Sequence, residues 1–232
     1  MADAPLAVIS GAAGGIGRAL AEGFLAAGYG VTGVDREPQG WLAPGFRYQT
    51  LDLTDNDAVA NFGAGLPRLD VLINAAGIIR RVAEYEIETF EHVIDVNLTG
   101  TMRLATACRP ALAQRGGAVI NIASMLSFFG GGLVPAYSAS KGGIVTLTKS
   151  LAIGWAKDNI RVNAIAPGWI ATPLTDALQK DEARSRVILE RTPMGRWGTP
   201  ADLVGPALFL ASDGARFVTG AVLAVDGGYS SM

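Results

Sequence analysis

The fold of this chain is indicated first by the stretch Ser10-Gly-Ala-Ala-Gly-Gly-Ile-Gly17. It stands between a short apolar run, residues 6–10, and residues 16–27, whose apolar side chains have helical spacing. Glycines in such a turn let the backbone bend tightly and approach a pyrophosphate at the positive end of the helix. The glycines in question are Gly11, Gly15 and Gly17. The stretch therefore predicts a phosphate-binding turn inside a strand–turn–helix unit.

The same alternation of apolar runs and amphipathic segments continues along the chain. Strands are predicted at residues 6–10, 30–34, 46–51, 69–73, 118–123, 161–165 and 221–225. Helices are predicted at residues 16–27, 55–65, 84–114, 136–157 and 200–211. Continuously apolar strands separated by helices indicate a parallel sheet covered on both faces. We expect one α/β domain over residues 1–232, a doubly wound sheet of about seven parallel strands.

Composition excludes several classes of function. The 232 residues are 50% hydrophobic and 17% charged, with a net charge of −2, which excludes disorder and makes nucleic-acid binding a poor fit. The longest uncharged stretch, residues 116–140, is interrupted by glycines, so we expect a strand and loop and no membrane span. Residues 1–5 lack the pattern of a secretory signal, and a single cysteine, Cys108, weakly favours a cytoplasmic location. We expect Cys108 to be a buried hydrophobe and, with His92 the only histidine, no metal site.

An acidic residue follows the second predicted strand. Asp35 lies 18 residues after Gly17, near the spacing of about 20 expected of a ribose-binding acid. A carboxylate there accepts hydrogen bonds from ribose hydroxyls and repels a 2′-phosphate. Gly14 offers no basic side chain to such a phosphate, whereas Arg36 could reach it. We therefore expect NAD as the cofactor in preference to NADP.

A second group of residues points to acid–base chemistry. Tyr137 and Lys141 are four residues apart, so on a helix they share one face, and Ser124 follows the fifth predicted strand. A phenol with a pKa near 10 is a poor base at pH 7, but a neighbouring ammonium and an oxidised nicotinamide would lower that pKa. Such a pair also arises by chance on helix surfaces. Its place in an uncharged stretch favours the catalytic interpretation.

Taken together, these motifs resemble the short-chain dehydrogenase/reductase family along essentially the whole chain, which implies a Rossmann-type fold. Asn74-Ala-Ala-Gly77, Asp52-Leu53, Pro167-Gly168 and Val225-Asp-Gly-Gly228 resemble further family motifs. The resemblance implies a catalytic set of Asn97, Ser124, Tyr137 and Lys141. It implies a cofactor-binding set of Gly11, Gly15, Ile16, Gly17, Asp35, Asp52, Leu53, Asn74, Ala75, Gly77, Tyr137, Lys141, Pro167, Gly168, Ile170 and Thr172.

The family's mechanism implies a role for each catalytic residue. Tyr137 would be the general acid/base of an alcohol–carbonyl interconversion, and Lys141 would hold the nicotinamide ribose. Ser124 would orient the substrate oxygen. Asn97 would anchor a water linking Lys141 to solvent, a role compatible with pinning the backbone of a long helix. The resemblance also implies a homotetramer built on residues 84–114 and 136–157, with Ala139, Gly142, Gly143 and Val145 suited to close helix approach.

The substrate is indicated by local likeness. Residues 74–81, 121–128 and 196–200 resemble the 2-dehydro-3-deoxygluconate 5-dehydrogenase and gluconate 5-dehydrogenase branch, which implies a sugar acid or polyol as the small-molecule substrate. Residues 169–197 carry nine charged side chains after a strand end, where a substrate lid is expected. A substrate carboxylate would suit a guanidinium. The candidates are Arg80, Arg81, Arg184, Arg186 and Arg191.

Two other functions compete with this one. A 3-oxoacyl-thioester reductase shares the same core, but it would be expected to use NADPH and to carry a basic residue at the glycine turn. A non-catalytic NAD-binding regulator would keep the fold without turnover, and the intact catalytic set argues against it.

Overall fold

A computed structural model describes residues 4–38 and 40–232 of the chain. Its sheet has seven strands, all parallel, in the order β3-β2-β1-β4-β5-β6-β7. The strands are β1 Leu6–Ser10, β2 Gly30–Asp35, β3 Phe46–Thr50, β4 Val71–Asn74, β5 Ala118–Ile122, β6 Arg161–Pro167 and β7 Val222–Val225. The predicted doubly wound parallel sheet is confirmed. The expectation about residues 1–5 concerns mainly residues 1–3, which lie outside the described residues.

Helices cover both faces of this sheet because the strands alternate their side chains between two cores. Val8 of β1 faces a core shared with α2, α4 and α5, while Ala7 and Ile9 face a second core shared with α1 and α8. The helices are α1 Gly15–Ala26, α2 Asn56–Ala64, α3 Ile87–Ile94, α4 Gly100–Ala113, α5 Pro135–Gly154, α6 Asp176–Gln179, α7 Glu182–Arg191 and α8 Val204–Ala211.

The two edge strands differ from the predicted apolar runs. Within β3, Arg47 and Gln49 are exposed, and β7 is also only partly buried. A strand buried on both faces must be apolar throughout, whereas an edge strand covered on one side can alternate. The continuous apolar pattern therefore holds for the central strands only.

The long helix predicted at residues 84–114 is divided into shorter pieces. A 3₁₀ turn, Ala83–Tyr85, precedes α3, and a π-helical turn, Asp95–Thr99, joins α3 to α4. Such single π turns often occur at functional sites because they re-aim the side chains of a helix. The extra residue here turns the buried Asn97 toward the sheet edge described below.

Gly143 has a packing role within its own chain. Gly143 is predicted above to allow close approach of another subunit, but a Cβ at this position would lie 2.7 Å from the Leu98 side chain of the same chain. The small residue is needed for packing α5 against the π-helical turn.

Among the described residues, no helix is both long and apolar enough to cross a bilayer.

Candidate active site

The glycine turn lies at the carboxyl end of β1, where the chain reverses its winding between β2 and β4. Gly11 has φ +73°, and a Cβ there would lie 2.9 Å from the backbone of Ala75 and Ala76. At Gly17 a Cβ would lie 2.1 Å from the Gly11 carbonyl oxygen. Both positions therefore require glycine, because the backbone of another segment lies where a side chain would begin. The turn leaves the N-terminus of α1 facing open space.

The Asp35 carboxylate lies beside this turn. Its Oδ2 accepts a hydrogen bond from the Ala13 N–H at 3.0 Å, and its Oδ1 accepts one from the Glu37 N–H at 3.1 Å. These bonds orient the carboxylate and leave other lone pairs for a ligand. Arg36 is engaged by the exposed Glu37 at 3.3 Å. Gly14 has extended backbone, and a Cβ at this position would meet no other atom within 4 Å.

A cleft of about 480 Å³ extends from Asp35 along the glycine turn to the loops after β4 and β6. Ten of the predicted cofactor residues line it: Gly11, Gly15, Ile16, Gly17, Asp35, Asp52, Leu53, Ala75, Gly77 and Thr172. Further lining residues absent from the predicted cofactor set include Ala13, Arg36, Ile78, Val96, Pro173 and Leu174. Small and apolar residues at loop positions carry no distinctive sequence signal, and only the fold brings them to this cleft.

Four other predicted cofactor residues are not among the residues that line the cleft. Asn74 is buried and donates to Asn121 Oδ1 at 2.8 Å, in a chain of hydrogen bonds that continues to Thr148. A Cβ on Gly168 would lie 2.6 Å from the Asp226 Cα. Ile170 belongs to the core beneath α1 and α8, and Pro167 ends β6. The cofactor role of these four residues stays a prediction.

The predicted catalytic side chains meet at the inner end of this cleft. The Ser124 side chain lies close enough to Tyr137 to lower the pKa of its phenol, and the Lys141 Nζ lies 5.6 Å from the centre of the Tyr137 ring. The buried Lys141 donates from Nζ to the Ile122 carbonyl oxygen at 2.7 Å. A Cβ on the cleft-lining Gly77 would lie 3.6 Å from the Lys141 Nζ, so the group adjoins the cleft directly.

Burial dominates the electrostatics of this group. It raises the pKa of the Tyr137 phenol above its ordinary value; the Ser124 side chain and the Arg81 charge act in the opposite direction, and the Glu84 charge adds to the rise. Burial also lowers the pKa of the Lys141 ammonium to about 8. In the free protein desolvation therefore outweighs the groups that lower the tyrosine pKa, and the expected lowering in the oxidised complex stays a prediction.

Asn97 lies beneath the same residues and is fully buried. Its Oδ1 accepts from the Ile78 N–H at 2.8 Å, and its Nδ2 donates to the Ile78 carbonyl at 2.9 Å and to Ser140 Oγ at 3.1 Å. The amide thus ties the π-helical turn to the loop after β4 and to α5. The Asn97 side chain therefore holds the backbone of the loop after β4 at Ile78. It does not hold the backbone of the long helix predicted at residues 84–114.

Arg81 faces the catalytic tyrosine from the loop after β4. Its charge lowers the pKa of Tyr137, and its Nη1 lies 3.5 Å from the Leu174 carbonyl across the cleft. Arg80 instead is exposed and donates to the carbonyl of its own neighbour, Ile79, at 3.1 Å. Of the two adjacent arginines, only Arg81 points its charge at the site.

Residues 169–197 cover one side of the cleft. Their two ends are joined, since Ala171 N–H donates to the Gly198 carbonyl at 2.8 Å and Gly198 N–H donates to the Trp169 carbonyl at 2.9 Å. The Arg191 guanidinium lies 5.0 Å from the Phe129 ring centre and 4.4 Å from that of Tyr229. Arg184 and Arg186 are exposed on α7, away from the cleft lining.

Sequence reasoning missed three structural contributors to the site. Ser10 Oγ accepts from the N–H groups of Ala75 and Ala76, both at 3.1 Å, and Trp41 Nε1 donates to the Ala12 carbonyl at 2.9 Å. Glu84 is a buried carboxylate beside Tyr137. A single serine at a strand end, tryptophan in a loop or glutamate in a short turn gives no periodic signal, so only the tertiary structure shows these roles.

The remaining reactive groups lie elsewhere. Cys108 is buried in the core beneath α2 and α4, and burial raises the pKa of its thiol to about 12. His92 is exposed on α3. Within residues 4–38 and 40–232, no three His, Cys, Asp or Glu side chains come together as metal ligands.

The doubly wound sheet and the glycine turn at its switch point define a Rossmann-type protein, with the Ser124, Tyr137 and Lys141 side chains beside its cleft. The family model described as enoyl-(acyl carrier protein) reductase matches residues 11–230. The chain belongs to the short-chain dehydrogenase/reductase family.

Individual relatives cover nearly the whole chain. It is 43% identical to 2-dehydro-3-deoxy-D-gluconate 5-dehydrogenase of Dickeya dadantii, over 97% of this chain and 94% of the relative. A crystal structure of a gluconate 5-dehydrogenase from Burkholderia cenocepacia, in complex with NADP and tartrate, superposes with a TM-score of 0.92 at 35% identity, covering 99% and 96%. A 4-hydroxyisoleucine dehydrogenase complexed with NADH also gives 0.92, at 33% identity, covering 98% and 99%.

Proposed function

We propose that this chain is a nicotinamide-dinucleotide-dependent oxidoreductase that interconverts a secondary alcohol and a ketone on a sugar acid. The observation that carries the proposal is the Ser124–Tyr137–Lys141 group at the inner end of a cleft formed by the glycine turn. The family and its sugar-acid dehydrogenase relatives agree with this activity.

The residues present fit a dinucleotide. The close backbone passages at Gly11 and Gly17 leave the N-terminus of α1 open to a pyrophosphate, and Asp35 has acceptors free for ribose hydroxyls. Asp52, Leu53 and the loop after β4 would contact the adenosine side, and Thr172 with Lys141 the nicotinamide side. When bound, the nicotinamide supplies the hydride donor or acceptor of the reaction.

The protein's own residues would manage the proton. Ser124 would hold the substrate oxygen beside the Tyr137 hydroxyl, which gives a proton to the oxygen in ketone reduction and removes it in alcohol oxidation. Lys141 would place positive charge beneath the tyrosine, and Asn97 would hold Ile78 and α5 in register around it. Residues 169–197 would act as a lid that excludes water from the cleft.

Replacing Tyr137 with Phe tests the proton-transfer role. We expect kcat to fall about 10²- to 10⁴-fold, because the general acid/base is lost, while cofactor binding measured by fluorescence titration persists. In the parent protein, the rate of alcohol oxidation should increase toward alkaline pH, because burial raises the pKa of Tyr137 and oxidation needs the phenolate. Tyr29→Phe, a tyrosine packed on Phe24 away from the site, is the control. Full activity of Tyr137→Phe would contradict the mechanism and reopen the non-catalytic regulator.

The cofactor preference follows from the charge of Asp35. A carboxylate at the ribose disfavours a 2′-phosphate, and Glu37 already engages Arg36, the nearest cation at this end of the cleft. We therefore propose NAD as the preferred cofactor, although the gluconate 5-dehydrogenase relative holds NADP and the 4-hydroxyisoleucine dehydrogenase holds NADH.

Asp35→Asn tests this preference, since it removes the charge and keeps one acceptor for the Ala13 N–H. We expect the ratio of kcat/KM for NADP to that for NAD to rise at least about tenfold, which corresponds to about 1.4 kcal/mol. Parallel initial-rate measurements with both cofactors provide the check. A parent enzyme that already prefers NADP would show that Arg36 overrides Asp35.

The substrate class rests on Arg81. A guanidinium beside the reacting tyrosine suits a carboxylate, which it can bind through two parallel hydrogen bonds. The tartrate held by the gluconate 5-dehydrogenase relative is itself a hydroxy acid. The description of the family model raises the alternative of an acyl-thioester reductase. The acyl-thioester substrate of such an enzyme has no carboxylate for Arg81 to bind.

Arg81→Lys removes the bidentate geometry but keeps the charge. We expect KM for sugar acids to rise at least about tenfold, while KM for neutral polyols changes little. Arg80→Lys is the matched control, because Arg80 is exposed and bonds only to its neighbour's carbonyl. A screen of sugar acids, polyols and a 3-oxoacyl thioester measures both points, and turnover of the thioester alone would refute the sugar-acid proposal.

We also propose a homotetramer located in the cytoplasm. Large apolar side chains stand exposed near the C-terminal end of the chain: Phe217 is fully exposed, and Phe209 and Leu223 are partly so. Apolar surface marks an interaction site where it is contiguous, and we propose that another copy of the chain covers these side chains. Light scattering after gel filtration should give about four times the 24.0 kDa of one chain, and a monomer would contradict the proposal.

A further inference from the structure

A buried carboxylate lies directly beneath the start of α5. Glu84 is 1% exposed and belongs to the 3₁₀ turn Ala83–Tyr85. Its Oε2 accepts from the Tyr137 N–H at 2.8 Å, and its Oε1 accepts from the Arg80 N–H at 2.8 Å. Both oxygens are used as acceptors, as suits an ionised carboxylate. In the described part of the chain, no ion pair involves Glu84, so these backbone donors are its compensation for burial.

The first turn of α5 depends on this distant acceptor. The residue before the helix, Val134, provides no side-chain cap, and Pro135 has no N–H to offer. Tyr137 is the third helical residue, whose N–H has no partner within its own helix and is normally satisfied by a capping side chain. Glu84 supplies the cap from 53 residues away in the sequence.

Two further hydrogen bonds join the same segments. The Val82 N–H donates to the Leu133 carbonyl at 2.8 Å, and the Tyr85 hydroxyl donates to the Gly132 carbonyl at 2.8 Å. Val82 has φ +68°, a conformation that a β-branched residue adopts only under strain. Such strain persists where surrounding contacts determine the backbone, and it clusters at functional sites. Here it reverses the chain between Arg81 and Glu84.

We propose that Glu84 is a positioning residue, which holds the substrate-facing Arg81 loop and the N-terminal turn of the Tyr137 helix in one geometry. The inference rests on the proposed function, because Arg81 and Tyr137 matter together only if one substrate contacts both. One carboxylate bridging the Arg80 and Tyr137 amides couples the residue that binds the substrate to the residue that moves its proton.

The bridge also brings a negative charge to the catalytic tyrosine. Four polar groups face Tyr137: Ser124 after β5, Lys141 on α5, Arg81 on the loop after β4, and Glu84 itself. Removing the Glu84 charge leaves Arg81 and Lys141 unopposed. The phenolate then forms at lower pH, which a merely structural residue would not cause.

Glu84→Gln keeps the size of the side chain but removes its charge and one acceptor. For sugar-acid oxidation we expect the maximal kcat to fall about tenfold, KM for the dinucleotide to stay unchanged, and the midpoint of the pH–rate profile to move down by about 0.5 to 1 unit. Glu84→Asp keeps the charge on a shorter side chain. Compared with Glu84→Gln, it should lower kcat less and should move the midpoint less. Glu91→Gln, an exposed acid on α3, is the matched control.

A second measurement needs no substrate. In hydrogen exchange of the parent protein, the Tyr137 amide should be protected. Glu84→Ala, which removes both acceptors, should lose that protection while the later turns of α5 keep theirs. A rapidly exchanging Tyr137 amide in the parent overturns the inference. So does a folded Glu84→Gln protein with parental kcat and pH profile. If no sugar acid is turned over but the exchange result holds, the proposed function fails and the bridge stands.

Discussion

Two backbones pass one another closely at Gly11, and the positions of the cleft and of the catalytic group follow from that passage. Because β1 lies between β2 and β4, the turn after β1 must run against the loop after β4. Ser10 completes this contact by accepting the N–H groups of Ala75 and Ala76. The passage sets the floor of the cleft, so the phosphate-binding turn and the loop that carries Gly77 and Arg81 share one edge of the sheet.

From this edge the site is assembled by segments that are distant in sequence. The loop after β4 meets the π-helical turn through Asn97 and meets α5 through Glu84. Both side chains, an amide and a carboxylate, are buried, so their polar atoms need hydrogen-bond partners within the protein. The same hydrogen bonds that satisfy them therefore fix where Tyr137, Lys141 and Arg81 stand. Stability and catalytic geometry are coupled in this region.

The electrostatics of the free site differ from what charge counting suggests. A lysine four residues from a tyrosine looks like a local source of positive potential. However, Lys141 is buried and Tyr137 is partly buried, and desolvation shifts both pKa values in the direction that favours the neutral form. The ammonium is held by the Ile122 carbonyl at the strand end. A charged ligand that binds at such a site changes the pKa values of both side chains, because it adds its own charge to the effect of burial.

Local patterns in the sequence are enough to predict the sheet, the glycine turn and the grouping of Tyr137 with Lys141, because apolar runs, glycine spacing and a Tyr–Lys pair one helical turn apart all lie within a few residues of each other. They could not show that Asn74 bonds to Asn121, that Gly143 packs on Leu98 of its own chain, or that Arg81 and not Arg80 faces the tyrosine. Adjacent arginines look alike in a sequence. Only the strained turn at Val82 and the buried Glu84 beneath α5 decide where each side chain points, since both depend on contacts about 50 residues apart along the chain.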